Sequence, residues 1–237
     1  MGETIQFGLP FVAAAQAQKH VTVNEAFTRL DALANLRLAS TGVVTPPVAP
    51  DEGEAYFVPN GAVNAWDGKG GQIAIFANGG WVFAEPKPGW RAYVEDVGLG
   101  ATFDGEDFVE EAVSVSINGA ATLEQVIEFD HVITAGADNS SAVVIPAGAQ
   151  VTGISGIVKT TLTGTGLASW RIGVAGSDNR YGNGLNVNIG SWVRGLSGAP
   201  VTYWSNTPLL ITAEGGDFAA GEIRLAIHAT QLLPPRL

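Results

Sequence analysis

VIEFDHVITAGADNSSAVVIPAGAQVTGISGIV, residues 126–158, is the stretch whose reading decides the fold. Ile127, Phe129, His131 and Ile133 alternate with Glu128, Asp130 and Val132, the period-two pattern of a strand with one face on a core. Val143-Val144-Ile145 runs into Pro146-Ala147-Gly148-Ala149-Gln150, a turn, and Val151–Val158 resumes the strand pattern. Toward the C-terminus, strands are predicted at 168–174, 185–193, 208–212 and 222–228, and Leu233-Pro234-Pro235 stops the last one. Short strands separated by turn signals roughly every 8–14 positions, with no helix of useful length, predict a jelly-roll-like β-sandwich over residues 119–237.

Upstream of that domain the pattern changes three times. Residues 95–111 carry seven acids, Glu95, Asp96, Asp104, Glu106, Asp107, Glu110 and Glu111, with Gly98, Gly100 and Gly105 among them, and residues 97–118 read as an acidic linker. A calcium loop is the alternative there, but the EF-hand spacing is absent. Residues 43–96 follow Pro46, Pro47 and Pro50 and carry brief apolar runs cut by Pro59-Asn60-Gly61, Asp67-Gly68, Asn78-Gly79-Gly80 and Pro86–Gly89. They read as a small antiparallel β module with Trp66, Trp81 and Trp90 as its core, since so small a module needs large side chains to bury. Residues 1–42 read as an arm and a helix serving attachment. Thr22-x-x-Glu25 is a capping box, and Val23, Phe27, Leu30, Ala34 and Leu38 make an apolar stripe at helical spacing over about 23–38. The stripe needs a partner, which is the chain's own next module, a sister chain or a docking protein.

Composition narrows the function classes. The chain has 237 residues, 46% hydrophobic and only 15% charged, so it can bury real cores. It has no Cys, which removes disulfides, thiolate metal sites and cysteine nucleophiles. A net charge of −11 speaks against nucleic-acid binding, which needs cations on the phosphates. The charge is uneven: 15 acids against 6 bases in residues 1–118, and 8 against 6 in 119–237. The nearly neutral C-terminal part suits a polar, uncharged partner such as a sugar. MGETIQFGLPF has no basic n-region and no long apolar run, so synthesis in the cytoplasm without a signal peptide is expected. No run of 18 apolar residues predicts membrane insertion.

Catalytic signatures are sparse. His20, His131 and His228 have no partner at metal-ligand spacing, and no nucleophile elbow, phosphate loop or dinucleotide fingerprint is present. No cofactor or metal is expected. Asp178 with Glu214 or Asp217 is the acid pair that a polysaccharide depolymerase would require. The stronger pattern is a mixture of aromatic, amide and charged residues: Trp170-Arg171, then Asp178, Asn179, Arg180, Tyr181 and Asn183, then Trp192 and Arg194, then Tyr203 and Trp204 with Ser205-Asn206. Sugars offer an apolar C–H face for ring stacking and hydroxyls for planar polar groups. Asp178, Asn179, Arg180, Tyr181, Asn183, Arg194, Tyr203 and Trp204 are therefore the candidate carbohydrate-binding residues, with Tyr181 and Trp204 expected to be the most exposed. Trp170 and Trp192, in strands, can instead be core.

AAAQAQKHVTVNEAFTRLDAL, PPVAPDEGEAYFV, GAVNAWDGKGGQIAIFANGGWVFAEPKPGW and RAYVED, in that order over about residues 8–96, resemble the N-terminal module of phage tail and gene-transfer-agent structural proteins. With a β-sandwich behind that module, the whole chain is similar to the head-spike fibre proteins of gene transfer agents. The resemblance implies a non-enzymatic protein on the surface of a virion-like particle. Residues 8–96 would dock to a capsid or spike-base protein, with Gln16, Gln18, Lys19, His20 and Asn24 as the docking candidates, and the C-terminal domain would bind host cell-surface polysaccharide. It also implies a homo-oligomer, for which a trimer is the expectation.

Overall fold

The computed structural model describes residues 4, 9, 11, 12 and 19–237, with the backbone alone at 19–22. The chain divides into two units: residues 1–121 with Pro234–Leu237, and Thr122–Leu233.

The first unit begins with helix α1, Lys19–Ala34. It starts earlier and stops earlier than the apolar spacing suggests. Thr22 therefore lies inside the helix rather than at its N-cap position. The buried side of α1 is also rotated from the predicted stripe. Asp31 and Ala32 are buried while Leu30 and Ala34 are exposed. Ala32 is small enough to bring the helix close to its neighbours, and the Asp31 carboxylate accepts the Thr4 hydroxyl at 2.8 Å. Leu38 belongs to β1, Arg37–Leu38, which pairs in parallel with β5, Arg91–Val94.

Between them lies an antiparallel meander of β2, Ala55–Phe57, β3, Ile73–Ala77, and β4, Gly80–Ala84. Its tight turn holds Asn78 and Gly79 at positive φ, and their N–H groups both donate to the Glu52 carboxylate at 2.9 Å. Trp66 is fully buried and packs on Tyr56 and Trp81, with ring centroids 5.3 and 5.0 Å away, so the predicted tryptophan core is present. Trp90 packs against the unit's other core, beside Leu38, Phe57 and Phe103.

The stretch expected as an acidic linker is folded. β6, Leu99–Phe103, and β7, Phe108–Glu110, continue the sheet in the order β1-β5-β6-β7, and β8, Ala112–Val115, follows. Five of the seven acids cluster because they occupy turns. Glu95 and Asp96 lie in the β5–β6 turn and Asp104, Glu106 and Asp107 in the β6–β7 turn, while Ala101, Phe103 and Phe108 between them are buried. Asp104 is itself buried. Burial alone would raise its carboxyl. The Arg236 guanidinium at 2.5 Å and the N–H groups of Asp107 and Glu106 instead hold it below the ordinary carboxylate value.

The second unit is a two-sheet sandwich of eight long strands: β9, Ala121–Ile133; β10, Asp138–Ile145; β11, Gln150–Thr163; β12, Ser169–Val174; β13, Ser177–Leu185; β14, Trp192–Thr202; β15, Thr207–Glu214; and β16, Ala220–Leu233. One sheet runs β14-β11-β16-β9 and the other β10-β15-β12-β13, so every connection except the β12–β13 hairpin crosses from one sheet to the other, as in a jelly roll. The mainly β fold expected from the alternation is what forms. Ile154, Val158, Trp170, Ile172, Leu209, Ile211, Leu225 and Ile227 fill the space between the sheets. At one edge β13 and β14 approach so closely that a Cβ on Gly195 would lie 1.9 Å from the Tyr181 carbonyl oxygen, so only glycine fits there.

Candidate functional site

Period-two strands sort the aromatic residues of the second unit into two groups. Trp170 faces the core and is buried, with its indole N–H donating to the Asn186 carbonyl at 3.0 Å. Trp192 and Trp204 face out, 64% and 86% exposed. Trp192 opens β14, and Trp204 sits two residues past its end. Trp192 faces Ile157 of β11 and Thr202 faces Gln150, seven residues along, so at about 3.3 Å per residue the two ends of β14 are roughly 23 Å apart and the two rings belong to different places.

Trp204 lies in the turn between β14 and β15, and that turn is pinned from several sides. The Tyr203 N–H donates to the Ala149 carbonyl at 2.9 Å, and the Gly148 N–H donates to the Tyr203 carbonyl at 2.7 Å. The Ala147 N–H donates to the Asn206 side-chain oxygen at 2.9 Å. The Thr207 hydroxyl donates to the Ser205 carbonyl at 2.8 Å. Beneath the turn, the buried phenols of Tyr203 and Tyr181 share a hydrogen bond of 2.7 Å. Burial, then this bond, pushes the Tyr181 hydroxyl well above the usual phenol range. The result is an indole held in water on a braced loop, with Ser205 and Asn206 exposed beside it.

The eight predicted sugar-binding residues do not converge. Tyr181 and Tyr203 are core residues, which corrects the expectation that Tyr181 is exposed; it points inward at the seam where β13 meets β14. Asp178 belongs to an ion cluster on the outer face of the β10-β15-β12-β13 sheet. There Arg171 reaches Asp178 at 2.7 Å and Glu214 at 3.7 Å. Glu214 also accepts the Ser169 hydroxyl at 2.7 Å and the Gly184 N–H at 3.0 Å. Asn179, Arg180 and Asn183 are exposed along β13. Arg194 lies on the opposite sheet, its guanidinium 4.6 Å from the centre of the Trp192 ring. Of the eight, Trp204 alone is a ring offered to solvent.

The outer face of the β14-β11-β16-β9 sheet is what sequence reasoning missed. Trp192, Arg194 and Leu196 alternate with the buried Val193 and Gly195, a signal that was legible in β14 once its register was known. Trp192, Arg194, Ser155, Arg224 and Glu128 line a shallow groove there of about 330 Å³. Asp130 sits on the same face, taking two hydrogen bonds from Arg224, at 2.7 and 2.9 Å, and one from Lys159, at 2.7 Å. These cations hold its carboxyl well below the usual range.

Among the docking candidates, Gln16 and Gln18 lie outside the described residues, as do the side chains of Lys19 and His20. Asn24 has an intrachain task. Its side chain accepts the Val12 N–H at 2.8 Å and donates to the Val12 carbonyl at 3.3 Å, clamping the arm as a neighbouring strand would. Among the described residues no group of three His, Asp or Glu side chains converges on a metal position, and no helix is long and apolar enough to cross a membrane.

Residues 23–109 match the family described as "Protein of unknown function (DUF2793)", a match that falls within the first unit. No curated protein matches the chain. Among solved structures, the chain is similar to one in the structure titled "Cyanophage Pam1 capsid asymmetric unit". The identity is 23%, over 48% of this chain and 85% of that one, with a TM-score of 0.33, a loose likeness.

Proposed function

We propose that this chain is a structural adhesion protein on the surface of a phage-like particle. Its first unit attaches to a capsid or spike-base protein, and its jelly roll binds host capsular polysaccharide without cleaving it. The observation that carries the binding half is Trp204. An indole 86% exposed on a braced turn is a ready stacking surface for the C–H face of a sugar, because little ordering is left to do when the ligand arrives. Ser205 and Asn206 supply polar groups at its edge. The attachment half is supported by the sequence resemblance of residues 8–96 to particle proteins. The non-catalytic reading is supported by the Arg171 cluster. Asp178 and Glu214 share one guanidinium, whereas a glycosidase needs one carboxyl kept protonated and the other free.

The test is adsorption of the labelled full chain to encapsulated cells and to isogenic cells without capsule. Capsule-dependent adsorption is expected, with Trp204→Ala weakening it about tenfold, the loss of roughly one stacked ring. Equal adsorption to both cell types would reject the polysaccharide reading and leave a purely structural role.

A further inference from the structure

We infer that the outer face of the β14-β11-β16-β9 sheet is a self-association surface, covered by a second copy of this chain. The sandwich supplies its own control. On this sheet Val126, Val132, Ile157, Trp192, Leu196 and Leu232 are 43–81% exposed. On the strands of the β10-β15-β12-β13 sheet no large apolar side chain is exposed. The two sheets come from one chain and share one core, so general composition does not explain the difference. Large contiguous apolar patches are rare on faces that remain in water.

Strand register sets Ile157, Trp192 and Leu196 in neighbouring rows. Ile157 pairs with Trp192 on one side and Arg224 on the other, Ser155 with Arg194 and Ala226, and Gly153 with Leu196 and His228. The surface is broad enough for a stable contact. Four strands at about 4.8 Å spacing and eleven residues at about 3.3 Å make roughly 700 Å² in plan, close to the approximately 800 Å² per partner of a standard interface.

Charge selects the occupant. The chain carries −11, yet around the groove Glu128, Asp130 and Glu222 are matched by Lys159, Arg194 and Arg224. Most of these charges are already joined to each other: Lys159 to Asp130 and Glu222 at 2.7 and 2.9 Å, and Arg224 to Asp130 at 2.7 Å. Such a face meets its own copy without like-charge repulsion, and its ions enter the contact already paired, which lowers their desolvation penalty. A polysaccharide would instead need polar groups free to bind hydroxyls. This inference is independent of the sugar reading, because Trp204 lies at the far end of β14.

The test is the mass of the full chain in solution by sedimentation or light scattering. A species of two or more chains is expected against 24.5 kDa for one. Leu196→Asp combined with Ile157→Lys should weaken association about tenfold or more and return single chains with unchanged circular dichroism. A single-chain mass throughout the concentration range would overturn the inference, as would an assembly that survives both substitutions. Should that variant fail to fold, Leu196→Cys provides a second reading, since the chain has no other cysteine. Slow thiol labelling in the assembled protein that becomes fast on dilution supports the surface. Fast labelling in an assembled sample, or protection that appears only when capsular polysaccharide or capsid protein is added, rejects it.

Discussion

Tyr181 shows how residue type and residue role separate. In sequence it sits among Asp178, Asn179, Arg180 and Asn183, a polar neighbourhood that resembles a sugar-binding loop. In the structure the same segment is strand β13, and alternation turns the ring inward while its neighbours face water. The buried hydroxyl then needs a partner, which Tyr203 provides from 22 residues away at 2.7 Å. Tyr203→Phe should cost about 1–2 kcal/mol in denaturant unfolding, because the Tyr181 hydroxyl is left buried and unpaired. Tyr181→Phe combined with Tyr203→Phe should cost less than the sum of the single changes, since the second substitution removes the stranded group. Additive losses would mean that the two phenols act separately. The Trp204 turn stands on this pair, so both variants also report on how firmly the exposed indole is held.

At the scale of elements, period-two alternation was the most readable signal, and turn chemistry the most misleading. Ile127, Phe129, His131 and Ile133 mark β9 in the sequence and the recurrence of such strands marks a β-sandwich, whereas the order of strands within each sheet comes from pairings between distant residues. The acidic stretch differs from a linker because five of its seven acids sit in the two turns that flank β6, with apolar strand residues between them. Asp104 could not have been read at all, since its partner Arg236 is 132 residues away. That pairing has a pH signature. Asp104 is held below the ordinary carboxylate value when folded, so its contribution is complete above that value and is lost as pH falls through it toward the folded one. Asp104→Asn should destabilise the first unit by about 2 kcal/mol near neutral pH and flatten its acid dependence. Faster hydrogen exchange at Ala101, Thr102 and Phe103 would report it, and unchanged exchange would show that the ion pair contributes little. Helix α1 failed differently. Ala32 and Asp31 face inward because of close approach and the Thr4 contact, neither of which leaves a hydrophobic pattern in the sequence.

For the whole molecule, the two exposed tryptophans of the second unit stand at separate places, one for each of the two proposed roles. Trp204 at one end of β14 is braced by backbone and side-chain hydrogen bonds and has polar residues beside it. Trp192 at the other end lies on a face with several exposed apolar side chains, most of whose charges are paired with each other. A single stacked ring and a few hydroxyl contacts bind weakly, so on the proposed reading adsorption to a cell surface would depend on several copies engaging a repetitive polymer at once. Self-association through the sheet face would supply that multiplicity even before attachment to a particle. Leu196→Asp with Ile157→Lys should then leave the affinity for a short capsular oligosaccharide unchanged while reducing adsorption to encapsulated cells about a hundredfold. Trp204→Ala should weaken both measurements together. If the face variant lost oligosaccharide affinity as well, the groove beside Trp192 would be the sugar site and the division between the two ends of β14 would fall. If it lost neither, single chains would suffice for adsorption, and avidity would have to come from the particle alone.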